Sequence, residues 1–192
     1  MLLYHASQLD GLTELSPEKF FDNIVYLATR IEDCCAYLAN PIKLFCNKNN
    51  IPTPTPCWKW AVNDRDKTTN TPILLEWWEG AFEELYKGVS SNYYVVEANK
   101  DTICSTDNSN KLKKHYTCTK PVKVKRVIKV PDVYKEMLRL DKACKIKLCR
   151  FKDLSTAQKG IIKNFVDSAY KDNSNVSELM AFCNAKLSFY KD

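Results

Sequence analysis

Leu2-Leu3-Tyr4-His5-Ala6-Ser7 and Asn23-Ile24-Val25-Tyr26-Leu27-Ala28, the latter followed by Thr29, are the stretches whose reading decides the fold. Each is a short run of apolar and aromatic residues that ends in small or polar ones, the pattern of a strand four to eight residues long. The second runs straight into a helical pattern. Thr29 with Glu32 has capping-box spacing, and Ile31, Cys34, Cys35 and Leu38 mark the face this helix buries. The two strands are expected to lie side by side. In that arrangement they bring one imidazole, His5, and one phenol, Tyr26, to the mouth of a common cleft.

Outward from this pair the chain alternates between strand and helix signals without strict periodic order. Ser16-Pro17-Glu18 predicts a short helical turn. Asn40-Pro41 restarts the chain as a helix carrying Ile42, Phe45 and Cys46. The alternating prolines of residues 48–56 impose an extended loop. Cys57 to Val62 and Pro72 to Trp78 read as a hairpin holding all four tryptophans, Trp58, Trp60, Trp77 and Trp78, either as core or as a stacking platform for bases. A helix over 79–87 stops at Gly88. Tyr93 to Glu97 is a strand of strong β propensity. Asn99 to Asn110 is a polar loop, Val122 to Val130 a long strand, and Pro131 opens a helix to about Leu140. Ile146 to Phe151 is the last strand. Ser155 with Gln158, and Asn175 with Glu178, begin two C-terminal helices. The class is α+β, divided into a strand-rich body over residues 1–152 and a helical pair over 153–192 packed on it.

Composition narrows the function. No apolar run approaches the ~20 residues of a membrane span, no secretory signal opens the chain, and a cytoplasmic protein is expected. Nine cysteines with no C-x-x-C suit small buried groups better than a disulfide scaffold. A zinc site from Cys104, His115 and Cys118 lacks a recognised ligand spacing, so no metal is assigned. There is no G-x-G-x-x-G, P-loop, H-E-x-x-H or G-x-S-x-G. Two histidines exclude a multi-histidine metal site, and four glycines argue against a glycine-built phosphate cradle. Charge is uneven. Residues 1–100 hold 9 Lys/Arg against 13 Asp/Glu, whereas residues 101–192 hold 20 against 10. A cationic second half suits an anionic partner. Lys111, Lys113, Lys114, Lys123, Lys125, Arg126 and Lys129 either guide a phosphate-bearing target or guard a solvated strand edge.

Tyr4-His5-Ala6-Ser7 resembles the Tyr-His-Gly-Thr/Ser opening of the ADP-ribosyltransferase-like fold in its His-Tyr-Glu branch. Val25-Tyr26-Leu27-Ala28-Thr29 followed by Ala36-Tyr37-Leu38-Ala39 resembles that branch's second motif, a Tyr-x-x-Thr strand before a helix. The strands at Tyr93–Glu97 and after Lys120-Pro121 follow the order of the small rifampin ADP-ribosyltransferase-like proteins, so the likeness covers roughly residues 2–130.

The resemblance implies a split β-sheet body that holds NAD as a substrate in a cleft and transfers ADP-ribose to a protein, nucleic-acid or small-molecule acceptor. His5 then contacts ribose hydroxyls, Tyr26 stacks on nicotinamide, and an acid polarises the 2′-hydroxyl of the nicotinamide ribose. Cleavage of the nicotinamide–ribose bond builds positive charge on the sugar, so a nearby carboxylate stabilises the transition state. Glu97 is the favoured acid, with Asp101 and Asp107 in the loop beyond. Ser7 and Thr29 complete the cofactor contacts, although Thr29 is better explained as a helix cap, and Ala6 replaces the family's glycine. The other reading is a non-catalytic module of the same fold that binds a nucleotide or a partner.

Overall fold

The computed structural model describes residues 1–20, 23–51, 64–99, 115–171 and 176–190. In chain order the strands are β1 (Leu2–Ser7), β2 (Glu14–Leu15), β3 (Val25–Ala28), β4 (Asp64–Arg65), β5 (Pro72–Leu75), β6 (Ser91–Glu97), β7 (His115–Cys118), β8 (Val122–Val130) and β9 (Lys147–Cys149). The α-helices are α1 (Pro41–Lys48), α2 (Ala81–Tyr86), α3 (Val133–Lys142), α4 (Thr156–Lys171) and α5 (Val176–Lys186). Two units emerge, each made of two stretches of chain. The first is Met1–Ala39 with Gly88–Glu136, the second Asn40–Lys87 with Met137–Asp192. The expected boundary at residue 152 is therefore not where the units part. Strands β5 and β9 pair with each other, which keeps residues 72–75 and 147–149 together with the C-terminal helices.

The first unit is a curled, wholly antiparallel sheet in the order β2-β8-β6-β1-β3-β7. β1 lies inside the sheet between β6 and β3, with Leu3, His5 and Ala6 buried and Leu2 exposed. One face carries Leu3, and packs it with Leu15, Val25, Leu27, Tyr94, Val96, Cys118 and Val122. The other face carries Ala6, which pairs with buried Tyr93 of β6. A 3-10 segment, Ile31–Tyr37, follows β3, and the Cys34 thiol donates to the Tyr4 carbonyl at 3.4 Å. The capping expected of Thr29 is absent: the cap position falls to Arg30, without a side-chain cap bond. The Arg30 guanidinium instead grips the Asp33 carboxylate through two bonds of 3.0 and 2.9 Å, holding a tight 3-10 turn in place of the expected α-helix.

β8 shows its irregularity in its sequence. Val122-Lys123-Val124 alternates apolar and charged residues, then Lys125-Arg126 doubles the charge before Val127. At that doublet the register slips, with Val96 opposite Val124 but Val95 opposite Arg126. A strand with one extra residue bulges and sends consecutive side chains to one side. The Asp132 carboxylate then accepts from Lys135 N at 3.0 Å, capping α3, and from Gly88 N at 3.2 Å. Gly88 has a φ of 76°, the left-handed conformation that its missing side chain permits.

The second unit sets β5 between β4, antiparallel, and β9, parallel. Asp66 shapes the β4–β5 turn by accepting from Thr68 N at 2.9 Å and Thr69 N at 2.8 Å. Trp77 and Trp78 are buried, against Phe165 at 4.7 Å and Phe182 at 6.0 Å between ring centroids. They are core rather than a platform for bases, whereas Trp58 and Trp60 lie outside the described residues. The Ser155–Gln158 capping box forms as expected, with Gln158 N donating to Ser155 Oγ at 3.2 Å and Ser155 N to Gln158 Oε1 at 3.0 Å. Asn40 likewise caps α1 through Lys43 N.

Candidate functional site

The two decisive stretches do lie side by side, as antiparallel neighbours with Tyr4 opposite Ala28. Antiparallel pairing has two consequences for the expected cleft. The first concerns ends. The close of β1, at Ser7, lies beside the start of β3, so carrying the register onward sets Thr29 next to Leu3, four positions from Ser7. Ser7 and Thr29 thus stand about 13 Å apart along the strands, at opposite ends of the pair. Ser7 is used locally, its hydroxyl accepting from Leu9 N at 3.2 Å.

The second concerns faces. Successive side chains alternate across a strand, and directly paired residues share a face. His5 is two residues from Leu3 and pairs with Tyr94, so it belongs to the face of the Leu3–Tyr94 cluster. Its ring, 9% exposed, meets Phe20 edge-on at 4.7 Å. Tyr26 lies between Val25 and Leu27, which point into that same cluster, so its own ring leaves on the opposite side and is 49% exposed. The link between the two residues runs through the backbone. His5 Nδ1 lies 2.9 Å from the Tyr26 carbonyl oxygen, and because a carbonyl only accepts, Nδ1 carries the proton. The expectation that imidazole and phenol face one pocket is therefore corrected: the sheet separates them.

Glu97 shares a face with Tyr26 but not its neighbourhood. Tyr26 falls opposite Ala6 by continued register, Ala6 pairs with Tyr93, and Glu97 is four residues beyond Tyr93 on β6. Two strands across and four positions along amount to about 16 Å. The Glu97 side chain is 62% exposed and pairs with Lys125 at 2.8 Å. That hydrogen bond from Lys125, and the charge behind it, hold the carboxyl below the usual glutamate range. It is an ionised surface group, not an acid in a cleft. Asp101, Asp107 and Cys104 lie outside the described residues. Among the described residues no group of three metal-binding side chains converges, and no helix is long and apolar enough to cross a membrane.

What the geometry does assemble is a cationic margin. β8 is exposed at Lys123, Lys125, Arg126, Val127 and Lys129. The bulge turns both Lys125 and Arg126 toward the Glu97 side, while Lys129 reaches Asp10 on the other side at 3.6 Å. β2 pairs only with Val122 and Lys123, and the Thr13 carbonyl accepts from Val124 N. From Lys125 to Val130 the outer edge of β8 has no strand beside it among the described residues. The Lys125-Arg126 doublet is the sequence signal for this feature, since it breaks an otherwise regular alternation.

No family model matches this chain, and neither the curated proteins nor the solved structures hold a significant match.

Proposed function

We propose that this chain is a non-catalytic binding module, on a sheet resembling the ADP-ribosyltransferase-like fold, and that its partner is anionic. The observation that carries this reading is β8, a nine-residue strand on which Lys125, Arg126 and Val127 are consecutively exposed and Lys123 and Lys129 flank them. Arg126 and Lys123 have no ion-pair partner among the described residues. Charges in this state are available to an incoming anion at little desolvation cost.

The transferase alternative draws its support from the Tyr4-His5 and Tyr26 motifs. It needs an imidazole, a phenol and a carboxylate around one ribose, and in this fold the His5 ring lies on the face opposite Tyr26 and Glu97, while Tyr26 and Glu97 stand about 16 Å apart. A cytoplasmic setting belongs to the same proposal, drawn from nine cysteines whose spacing suits no disulfide scaffold.

The test is incubation with nicotinamide-labelled NAD under folded conditions. The expected result is no nicotinamide release above the buffer rate. Release that disappears in both His5→Ala and Tyr26→Ala, with folding retained, would restore the transferase.

A further inference from the structure

We infer that the open edge of β8 receives an extended acidic polypeptide segment as an added strand, an inference that rests on the anionic-partner reading above. Three observations converge on it. The first is the edge itself. From Lys125 to Val130 β8 pairs with β6 on one side only, and its outer side has no described strand. Six residues of edge span about 20 Å, enough to lie beside five or six residues of a partner and to bond about every second one.

The second is the side-chain pattern. Pairing with Val95 puts Arg126 on one face, and the bulge sends Lys125 to the same face, where it meets Glu97. Pairing with Tyr94 and Asn92 puts Val127 and Lys129 on the other. A partner strand therefore meets cations on both faces, with one apolar contact at Val127, which is 36% exposed. Carboxylates at alternate positions of the partner answer this arrangement on either face. A second copy of this chain does not, because β8 against β8 sets Lys and Arg against Lys and Arg.

The third separates a polypeptide from a nucleic acid. Single strands of nucleic acid are held by cations together with aromatic faces on which bases stack. Among the described strand residues of this sheet, the large aromatic side chain that is exposed is Tyr26 on β3, three strands from β8 and about 14 Å away. The exposed apolar group among the β8 cations is Val127, which suits an aliphatic side chain rather than a base. Lysines on an edge also ward off unwanted strand pairing. Opposite charge on the incoming strand is the condition that turns this guard into a selector.

The experiment uses the full chain and three fluorescein-labelled probes: a ten-residue peptide alternating Glu and Val, the same peptide with Lys for Glu, and a twenty-nucleotide oligo-dT. Anisotropy is read at low and moderate salt, and amide hydrogen exchange is followed over residues 125–130. The expected result is binding of the Glu-Val peptide at least tenfold tighter than either control. It weakens at least tenfold in Lys125→Glu and in Arg126→Glu, and the β8 edge amides slow on binding. Circular dichroism establishes that each variant is folded. Binding of the Glu-Val peptide without amide protection overturns strand addition and leaves the anionic-partner reading standing. Tighter binding of oligo-dT overturns the polypeptide inference in the same way. Binding of neither anionic probe overturns both.

Discussion

His5 donates its Nδ1 proton to the carbonyl of Tyr26 at 2.9 Å, while the Tyr26 phenol leaves the sheet on the other side. The bond ties β1 to β3 where only Tyr4 and Ala28 form a registered pair. His5 thereby acquires a structural role, as a polar ring on an apolar face that satisfies a carbonyl next to Phe20.

The two residues should therefore respond differently to truncation. His5→Ala removes a buried hydrogen bond and leaves a cavity beside Phe20, and should cost about 2–4 kcal/mol. Tyr26→Ala removes a half-exposed ring and should cost no more than about 1 kcal/mol. Urea unfolding of the two variants checks this, and equal losses would contradict the separation of the two rings.

Asp132 should act as a pH-dependent clasp within the first unit. The Lys135 backbone N–H, against an opposing effect of burial and with help from the Gly88 N–H, holds the Asp132 carboxyl below its ordinary range. A carboxyl with a lower folded pKa stabilises the fold above its unfolded value, near about 4, and loses that contribution as pH falls through the folded value. Asp132→Ala should cost about 1 kcal/mol at neutral pH, as loss of a helix cap does. The gap between the two proteins should close as the pH is taken below the carboxylate range, which unfolding curves at several pH values will show.

Thiol chemistry should sort the cysteines by burial. Cys34 is buried against the Tyr4 carbonyl, and burial pushes its thiol far above the ordinary range, with the Asp33 charge adding to the effect. Cys144 is exposed, at a φ of 54°. Cys144→Ser should remove a fast phase from the reaction of the native protein with an aromatic disulfide reagent, and Cys34→Ser should leave that phase unchanged.

Glu76 is a buried carboxylate whose partners are all in the second unit. It accepts from Phe151 N at 3.0 Å and Phe82 N at 3.4 Å, and faces the Arg150 guanidinium at 3.5 Å. Glu76→Ala leaves two backbone donors and a partly buried cation without their acceptor, and should cost about 3 kcal/mol. Glu76→Gln keeps an acceptor oxygen and should cost less. Thermal unfolding of the pair measures the difference.

The sequence by itself determined much of the local structure that side chains impose on their own neighbours, though not the Thr29–Glu32 cap, where Arg30 takes the cap position of a 3-10 turn. Asn40-Pro41, the Ser155–Gln158 box and the Val122–Val130 alternation each formed the expected element, because caps, proline geometry and period-two burial are short-range effects. It also determined that the class is mixed helix and sheet, and that Trp77 and Trp78 suit a core. Only the tertiary structure decided which way β3 runs past β1, on which face each side chain emerges, and which stretches join as one unit. A strand's own residues specify that alternate positions differ, but which alternate set faces a given neighbour is set by pairing direction and register. Antiparallel pairing with Tyr4 opposite Ala28 put Ser7 and Thr29 at opposite ends of the pair and parted the His5 ring from Tyr26. The same dependence on partners left the outer edge of β8 without a described strand beyond Lys123, since an edge exists only once the sheet is assembled.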